Sequence, residues 1–222
     1  MSEVIRSEWP RNSVCYEEET GAVEEPNRLD AFDSHFHADR LSRALKGHTR
    51  AAITDLVSAN VGCSPRNPVN VVGGVTIYCD PESYPVSLPC QRGFGAAIGV
   101  HPKKCHLLTT AKFQMVLDHL KSWDVALGKT GLDRTEPEST WKLQEDTMVR
   151  LLNFSMPVRP VILHMRDGVD EHAGEVSAKC LQILKANAAP TQKIHLHSFG
   201  GTVEQVVGWL DAFPNCYFGF SE

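Results

Sequence analysis

From Leu29 onward the apolar positions alternate between two periods. Short runs rich in Val, Ile, Ala and Phe read as strands at LDAFDSHFH, NVVGGVTIYC, GFGAAIGVHP, WDVALGKTGLD, RPVILHMRD, QKIHLHSFG and NCYFGFS. Between several of them lies helical spacing. Phe113, Val116, Leu117 and Leu120 follow i, i+3, i+4, i+7, as do Val203, Val206, Val207 and Leu210. Val176, Cys180, Ile183 and Leu184 make a third stripe, and Trp141, Met148, Leu151 and Leu152 a fourth. Thr202 followed by Gln205 predicts a capping box at the start of the last helix. Strands separated by amphipathic helices specify an α/β protein with a parallel sheet. A doubly wound sheet fits that alternation, but polar chemistry at each strand end suits a TIM-type (β/α) barrel better. About seven strand–helix units are visible, the last without its helix. Residues 29–222 fall short of the roughly 250 residues of a complete barrel, so the expectation is an incomplete one, its eighth unit missing.

Charge separates this body from what precedes it. Residues 1–30 hold eight acidic and three basic side chains, a net of −5, which is also the net of all 222 residues. The body is therefore neutral, without the basic field that binds duplex nucleic acid non-specifically. Any nucleic-acid contact would be local, at the mouth of a site. Residues 1–28 show neither period and are expected to form an acidic flexible extension. No apolar run approaches the roughly 20 residues of a membrane helix, so no membrane partner is expected. Seven cysteines, scattered and without a CxxC pair, suit reduced thiols in a cytoplasmic or nuclear protein.

Candidate chemistry gathers at the strand ends. In His35-Phe36-His37 the two imidazoles share one strand face at roughly 7 Å spacing, close enough to share an ion. His164 follows the apolar run at the start of ILHMR, His195 and His197 flank Leu196 before Ser198-Phe199-Gly200-Gly201, and His101 sits in GVHP. Histidines thus recur after four strands at the same end. Neutral imidazole is a common ligand of divalent transition metals. His48, His106, His119 and His172 fall in helical or loop contexts and are expected at the surface.

FDSHFH, IGVHP, ALGKTGLD, ILHMRD and LHSFGG, in this order and spacing, resemble the signature blocks of the TatD family of metal-dependent deoxyribonucleases and related hydrolases, within the amidohydrolase superfamily. The resemblance spans about Leu29 to Ser221. It implies metal ligands at His35, His37, His164 and His197, an active-site histidine at His101, and one or two divalent ions, with Mg, Mn and Zn not distinguished. It implies hydrolysis of phosphodiester bonds, with DNA ends as substrate.

Two departures accompany the matches. The family's fourth-strand block carries a metal-bridging Glu where this chain has Lys129, and the family's last-strand Asp has no counterpart up to Glu222. An ammonium beside divalent ions is repulsive. One expectation is a diminished centre with one metal, held by His164 and His197 or by His35 and His37. The other is a degenerate member that binds a metal or a partner without turnover. Asp133 is expected to stand in partly for the absent carboxylate, Arg166 to contact a phosphate or form an internal ion pair, Asp33 to orient a ligand imidazole, and His195 to be a hydrogen-bonded core residue, with a substitute ligand as the other reading. Oligomeric state is not readable from these features.

Overall fold

The computed structural model describes residues 29–47, 51–57, 69–89, 91–168 and 174–220. The extension expected over 1–28 lies outside the described residues. All seven β-type runs form strands: β1 (Leu29–Phe36), β2 (Val69–Tyr78), β3 (Phe94–Ile98), β4 (Val125–Asp133), β5 (Val161–Arg166), β6 (Ile194–His197) and β7 (Cys216–Phe218). Helices α1 (Ala38–Lys46) and α2 (Ile53–Val57) follow β1. Helices α3 (Thr110–His119), α4 (Trp141–Leu152), α5 (Glu175–Asn187) and α6 (Val203–Ala212) follow β3, β4, β5 and β6.

The strands lie in one parallel sheet in chain order, β1 to β7. That sheet curls: the ring of His35 on β1 rests 3.6 Å from that of His197 on β6, five strands away. The architecture is an incomplete TIM-type barrel, with β1 and β7 as its two edges. Apolar side chains stand exposed at both, Leu29 and Phe32 on β1, Tyr217 and Phe220 at β7.

Period-two alternation divides the strands between two cores. Ile98, Leu127, Leu132, Leu163 and Leu196 face outward under helical residues such as Val116, Met148, Leu151, Val176 and Trp209. Ile77, Cys79, Ala97, Ala126 and Ile162 form a small apolar plug inside the curl. Three of the four helical stripes pack as their spacing predicts. Helix α6 differs. Its capping box forms between Thr202 and Gln205, but Val203, Val207 and Leu210 remain exposed and Trp209 is the residue it buries. The cause is Ser177 on α5, whose hydroxyl accepts the Trp209 indole N–H at 2.9 Å and turns α6 onto that face.

One irregularity in β4 sets up the site. Gly128 pairs with Ile162 and Thr130 with Leu163, so Lys129 is an extra residue, a bulge that shifts which later residues face inward. Beyond it, Gly131 pairs with His164 and Asp133 with Arg166, while Leu132 faces the helices. Gly131 has φ +140°, and a Cβ there would meet the His164 carbonyl oxygen at 2.0 Å. Gly131→Ala is therefore expected to cost about 3 kcal/mol through strain and a backbone collision, read as a lower urea midpoint.

Candidate active site at the strand ends

The ends of β1, β3, β4, β5 and β6 bring together His35, His37, His101, Lys129, Asp133, His164, His195 and His197. They fall into two halves.

On the β1/β6 half, the His35 and His197 rings stack with planes 16° apart, and His37 and His195 lie 5.2 and 6.5 Å from His35. The His37 Nδ1–H donates to the carbonyl of Ile77 at 3.1 Å, leaving Nε2 with its lone pair. Both ring nitrogens of His35 are buried without a hydrogen-bond partner. Buried nitrogens of this kind are costly unless something else satisfies them. Asp33 does not orient an imidazole: its carboxylate accepts the backbone N–H of His35 at 3.0 Å, because a carboxylate two residues upstream closes an Asx turn more easily than it reaches a ring. No hydrogen bond satisfies the ring of His195 among the described residues; it joins the imidazole cluster instead of the core.

On the β4/β5 half, Asp133 is fully buried and saturated. Its Oδ2 accepts from His164 Nε2 at 2.9 Å, and its Oδ1 accepts from the Thr135 amide at 3.1 Å and the Thr135 hydroxyl at 2.5 Å. Lys103 Nζ lies 3.8 Å from Oδ2. The side-chain amide of Gln144 brackets the Asp133 backbone, accepting its N–H and donating to its carbonyl. The ring of His101 lies 4.5 Å from that of His164, and its Nδ1 accepts the Lys103 amide at 3.3 Å.

Lys129 is 5% exposed and, among the described residues, has no hydrogen bond or ion pair. It reaches neither solvent nor an ion-pair contact with Asp133. Burial lowers its pKa to about 8. Its charge acts in turn on all six imidazoles. Burial first, then neighbouring positive charge, holds His35 at about 2, His37 at about 4, and His101 and His197 at about 3. Burial also lowers His164 and His195, in His164 against the pull of Asp133. Asp133 is pushed up by burial, but hydrogen bonds from His164 and Thr135 outweigh this and hold it well below the usual carboxylate range. Six imidazoles are thus held neutral, each under the influence of one buried lysine.

A cavity of about 200 Å³ opens beside this rim, lined by Arg40, Asp80, His101, Lys103, Lys104, Asp133, His164 and Arg166. Three of its four cations are engaged: Arg40 grips Asp80 with two contacts at 2.8 and 2.9 Å, Lys103 meets Glu136 at 3.0 Å, and Lys104 meets Glu82 at 2.6 Å. Arg166 forms no ion pair among the described residues and is exposed. The sequence reading missed Arg40 and Asp80; the only signal was their position just beyond the β1 and β2 runs.

Residues 32–222 match the family model described as TatD related DNase. The chain belongs to the TatD family. A similar relative is the human 3'-5' RNA nuclease TATDN2, 25% identical over 206 residues, a match covering 89% of this chain and 25% of that protein. The chain thus spans about a quarter of that relative's length. A similar solved structure is an uncharacterized amidohydrolase from Saccharomyces cerevisiae, with TM-score 0.51, 15% identity, and coverage of 86% of this chain and 67% of that one. That likeness supports the fold alone. In a TIM-type barrel the strand-end rim is where active-site chemistry sits. Among the described residues, no helix is long and apolar enough to cross a membrane.

Proposed function

We propose that this TatD-family protein hydrolyses phosphodiester bonds at nucleic-acid ends, DNA ends in the first instance, with a divalent ion, in the cytoplasm or nucleus. The observation that carries the reading is the convergence of imidazoles from β1, β3, β5 and β6 on one rim beside a cation-lined cavity. The donors on the β1/β6 half are of the kind a divalent ion takes: neutral imidazoles, His37 fixed through a carbonyl on its other nitrogen, and a half-buried His35 whose ring nitrogens lack partners, with His197 Nε2 paired to the Ser198 hydroxyl at 3.0 Å. Among the described residues, no three His, Cys, Asp or Glu side chains are arranged to hold an ion between them. The imidazoles available to hold it are His35, His37, His164 and His197. Such an ion supplies Lewis-acid polarisation and an activated water.

The remaining work belongs to the chain. Asp133 holds His164 through Nε2–H, fixing the tautomer and leaving Nδ1 with its lone pair. His101, whose Nδ1 is taken by the Lys103 amide, carries its proton on Nε2 and is placed to donate a hydrogen bond from it to a phosphate oxygen. Arg166, on the same strand face as His164, offers a bidentate guanidinium to a phosphate. Lys129 adds fixed positive charge against the anionic substrate.

A second reading, binding without turnover, draws on two observations: Lys129 brings a cation where a bridging carboxylate would sit, and Asp133 has its oxygens occupied. Hydrolysis of bis-p-nitrophenyl phosphate and of end-labelled DNA and RNA oligonucleotides, with Mn²⁺ or Mg²⁺ added, separates the two. Turnover above a chelator-treated control, reduced at least a hundredfold in His164→Ala, is expected. A folded protein that binds Mn²⁺ and hydrolyses nothing would leave the second reading standing.

A further inference from the structure

We infer that the cavity beside the rim receives a terminal phosphomonoester, gripped by the Arg166 guanidinium with His101, Lys103 and Lys104 around it, so that nucleic-acid ends bearing a phosphate are held in preference to ends bearing a hydroxyl. This rests on the reading that the rim works on nucleic-acid ends, and specifies the chemistry of the end it takes.

The polar groups lining the cavity are spent unequally. Its acceptors are used up from within: both oxygens of Asp80 are held by Arg40, and those of Asp133 by His164 and Thr135. Its donors are not. Arg166 is exposed and forms no ion pair among the described residues, which leaves its planar fork of N–H groups open. His101, whose Nδ1 takes the Lys103 amide, presents Nε2–H. Lys103 and Lys104 are paired with Glu136 and Glu82, carboxylates outside the cavity lining, and Lys103 also donates to the Thr135 hydroxyl at 2.7 Å. Exposed pairs of this kind are weak, so both ammonium groups can turn towards an anion in the cavity.

A cavity with free donors and spent acceptors selects a ligand that only accepts. A terminal phosphate does so: near pH 7 it carries about −1.5 to −2 charge and three strong acceptor oxygens, whereas an internal phosphodiester carries a single negative charge. The guanidinium fork suits it by making two parallel hydrogen bonds to one phosphate. Volume sets a further limit. About 200 Å³ lies below the roughly 300–1,000 Å³ of pockets that enclose whole small molecules, so the phosphate and its sugar enter while the base stays outside. Recognition is then of the end and not of its sequence. The neutral body agrees with this. With no basic field to bind along a strand, attraction must come from cations gathered at one mouth, and four of them line this cavity.

The full chain, kept in chelator so that nothing is cleaved, is titrated against an internally fluorescein-labelled single-stranded DNA oligonucleotide and followed by anisotropy. The oligonucleotide carries in turn a 5′-phosphate, a 3′-phosphate, hydroxyls at both ends, or the methyl ester of whichever phosphate binds better. One phosphorylated end is expected to bind about tenfold or more tighter than the hydroxyl ends, and its methyl ester to lose most of that gain. Whether the 5′- or the 3′-phosphate gains identifies the end that enters. Arg166→Ala is expected to bring the preference within about twofold, and Arg166→Lys, which keeps the charge without the fork, to restore part of it. Lys142→Met, at an exposed cation outside the cavity, is expected to leave the preference unchanged. Circular dichroism identifies any variant that fails to fold, and the wild-type comparison of ends needs no variant. Equal affinity for phosphate and hydroxyl ends in wild type would overturn the inference, even if inorganic phosphate competes. A preference that survives in folded Arg166→Ala, or in the methyl ester, would overturn it too. Adding Mn²⁺ to the same oligonucleotides keeps the two readings apart. Turnover without end preference overturns this inference and leaves the hydrolase reading intact, whereas end preference without turnover supports this inference and overturns that reading.

Discussion

Asp133→Asn is expected to lower phosphodiester turnover by a factor of about 10²–10⁴ while leaving the barrel folded. Asn matches Asp in shape, and its carbonyl oxygen can still accept the Thr135 amide, while Gln144 continues to bracket the backbone. What Asn cannot do is accept the His164 N–H with an ionised oxygen at the position of Oδ2. An amide NH₂ placed there faces another donor, so the His164 ring either loses its bond or switches tautomer and presents N–H where the lone pair had been. The substitution also removes a buried carboxylate from the β4/β5 side of the rim, in the company of Lys103 and Arg166. Steady-state kinetics on bis-p-nitrophenyl phosphate, with thermal unfolding of the same samples, read the outcome. A kcat within twofold of wild type in a folded variant would remove Asp133 and its hold on His164 from the mechanism. Thr135→Ala, which loses a hydroxyl but keeps the carboxylate–imidazole pair, is the informative comparison and is expected to cost far less.

The metal-free protein is expected to lose about 3 kcal/mol of stability between pH 7 and pH 5.5, enough to threaten a domain of ordinary stability. The sign follows from the rim. His35, His37, His101 and His197 have folded-state pKa values of about 2 to 4, against 6.5 for the free side chain. A depressed histidine binds fewer protons folded than unfolded, so stability is intact above about pH 7 and is lost as pH falls through 6.5 towards 4. Below 6.5 each such group contributes a loss of up to about 1.4 kcal/mol per pH unit, and partial exposure of these rings reduces the sum. Asp133, itself depressed, adds a loss in the same direction only at lower pH, where a free carboxylate would begin to protonate. Urea titrations at pH 7 and 5.5 after chelation measure the effect. Equal midpoints at the two values would mean that these imidazoles are not held neutral by the fold.

Much of this molecule is legible in one dimension because its signals are local. Alternation of apolar residues marks all seven strands, since side chains in a strand must choose one of two faces, and a buried parallel strand uses Val, Ile, Leu and Ala on both. Thr202 and Gln205 announce a helix start because the capping box needs only neighbours in the chain. The histidines after β1, β3, β5 and β6 are visible for the same reason: a strand end is a local feature, and in a parallel barrel all such ends share one rim.

What escapes a linear reading is whatever depends on partners far along the chain. The α6 stripe was drawn from spacing alone, yet Ser177 on α5 chooses Trp209 as the buried face. Asp33 and His195 each depart from expectation because one turn and one curl of the sheet decide their neighbours.

Residue order by itself determined a parallel α/β architecture, its TatD family, and a set of imidazoles destined for the same rim, because period, caps and strand ends are properties of short segments. Tertiary structure alone decided that His35 lies against His197, that the extra residue in β4 is Lys129, and that Asp133 is already satisfied while His35 is not. The reason is that curling a sheet brings its first and sixth strands into contact, and hydrogen-bond satisfaction is settled by whichever groups that curl makes neighbours.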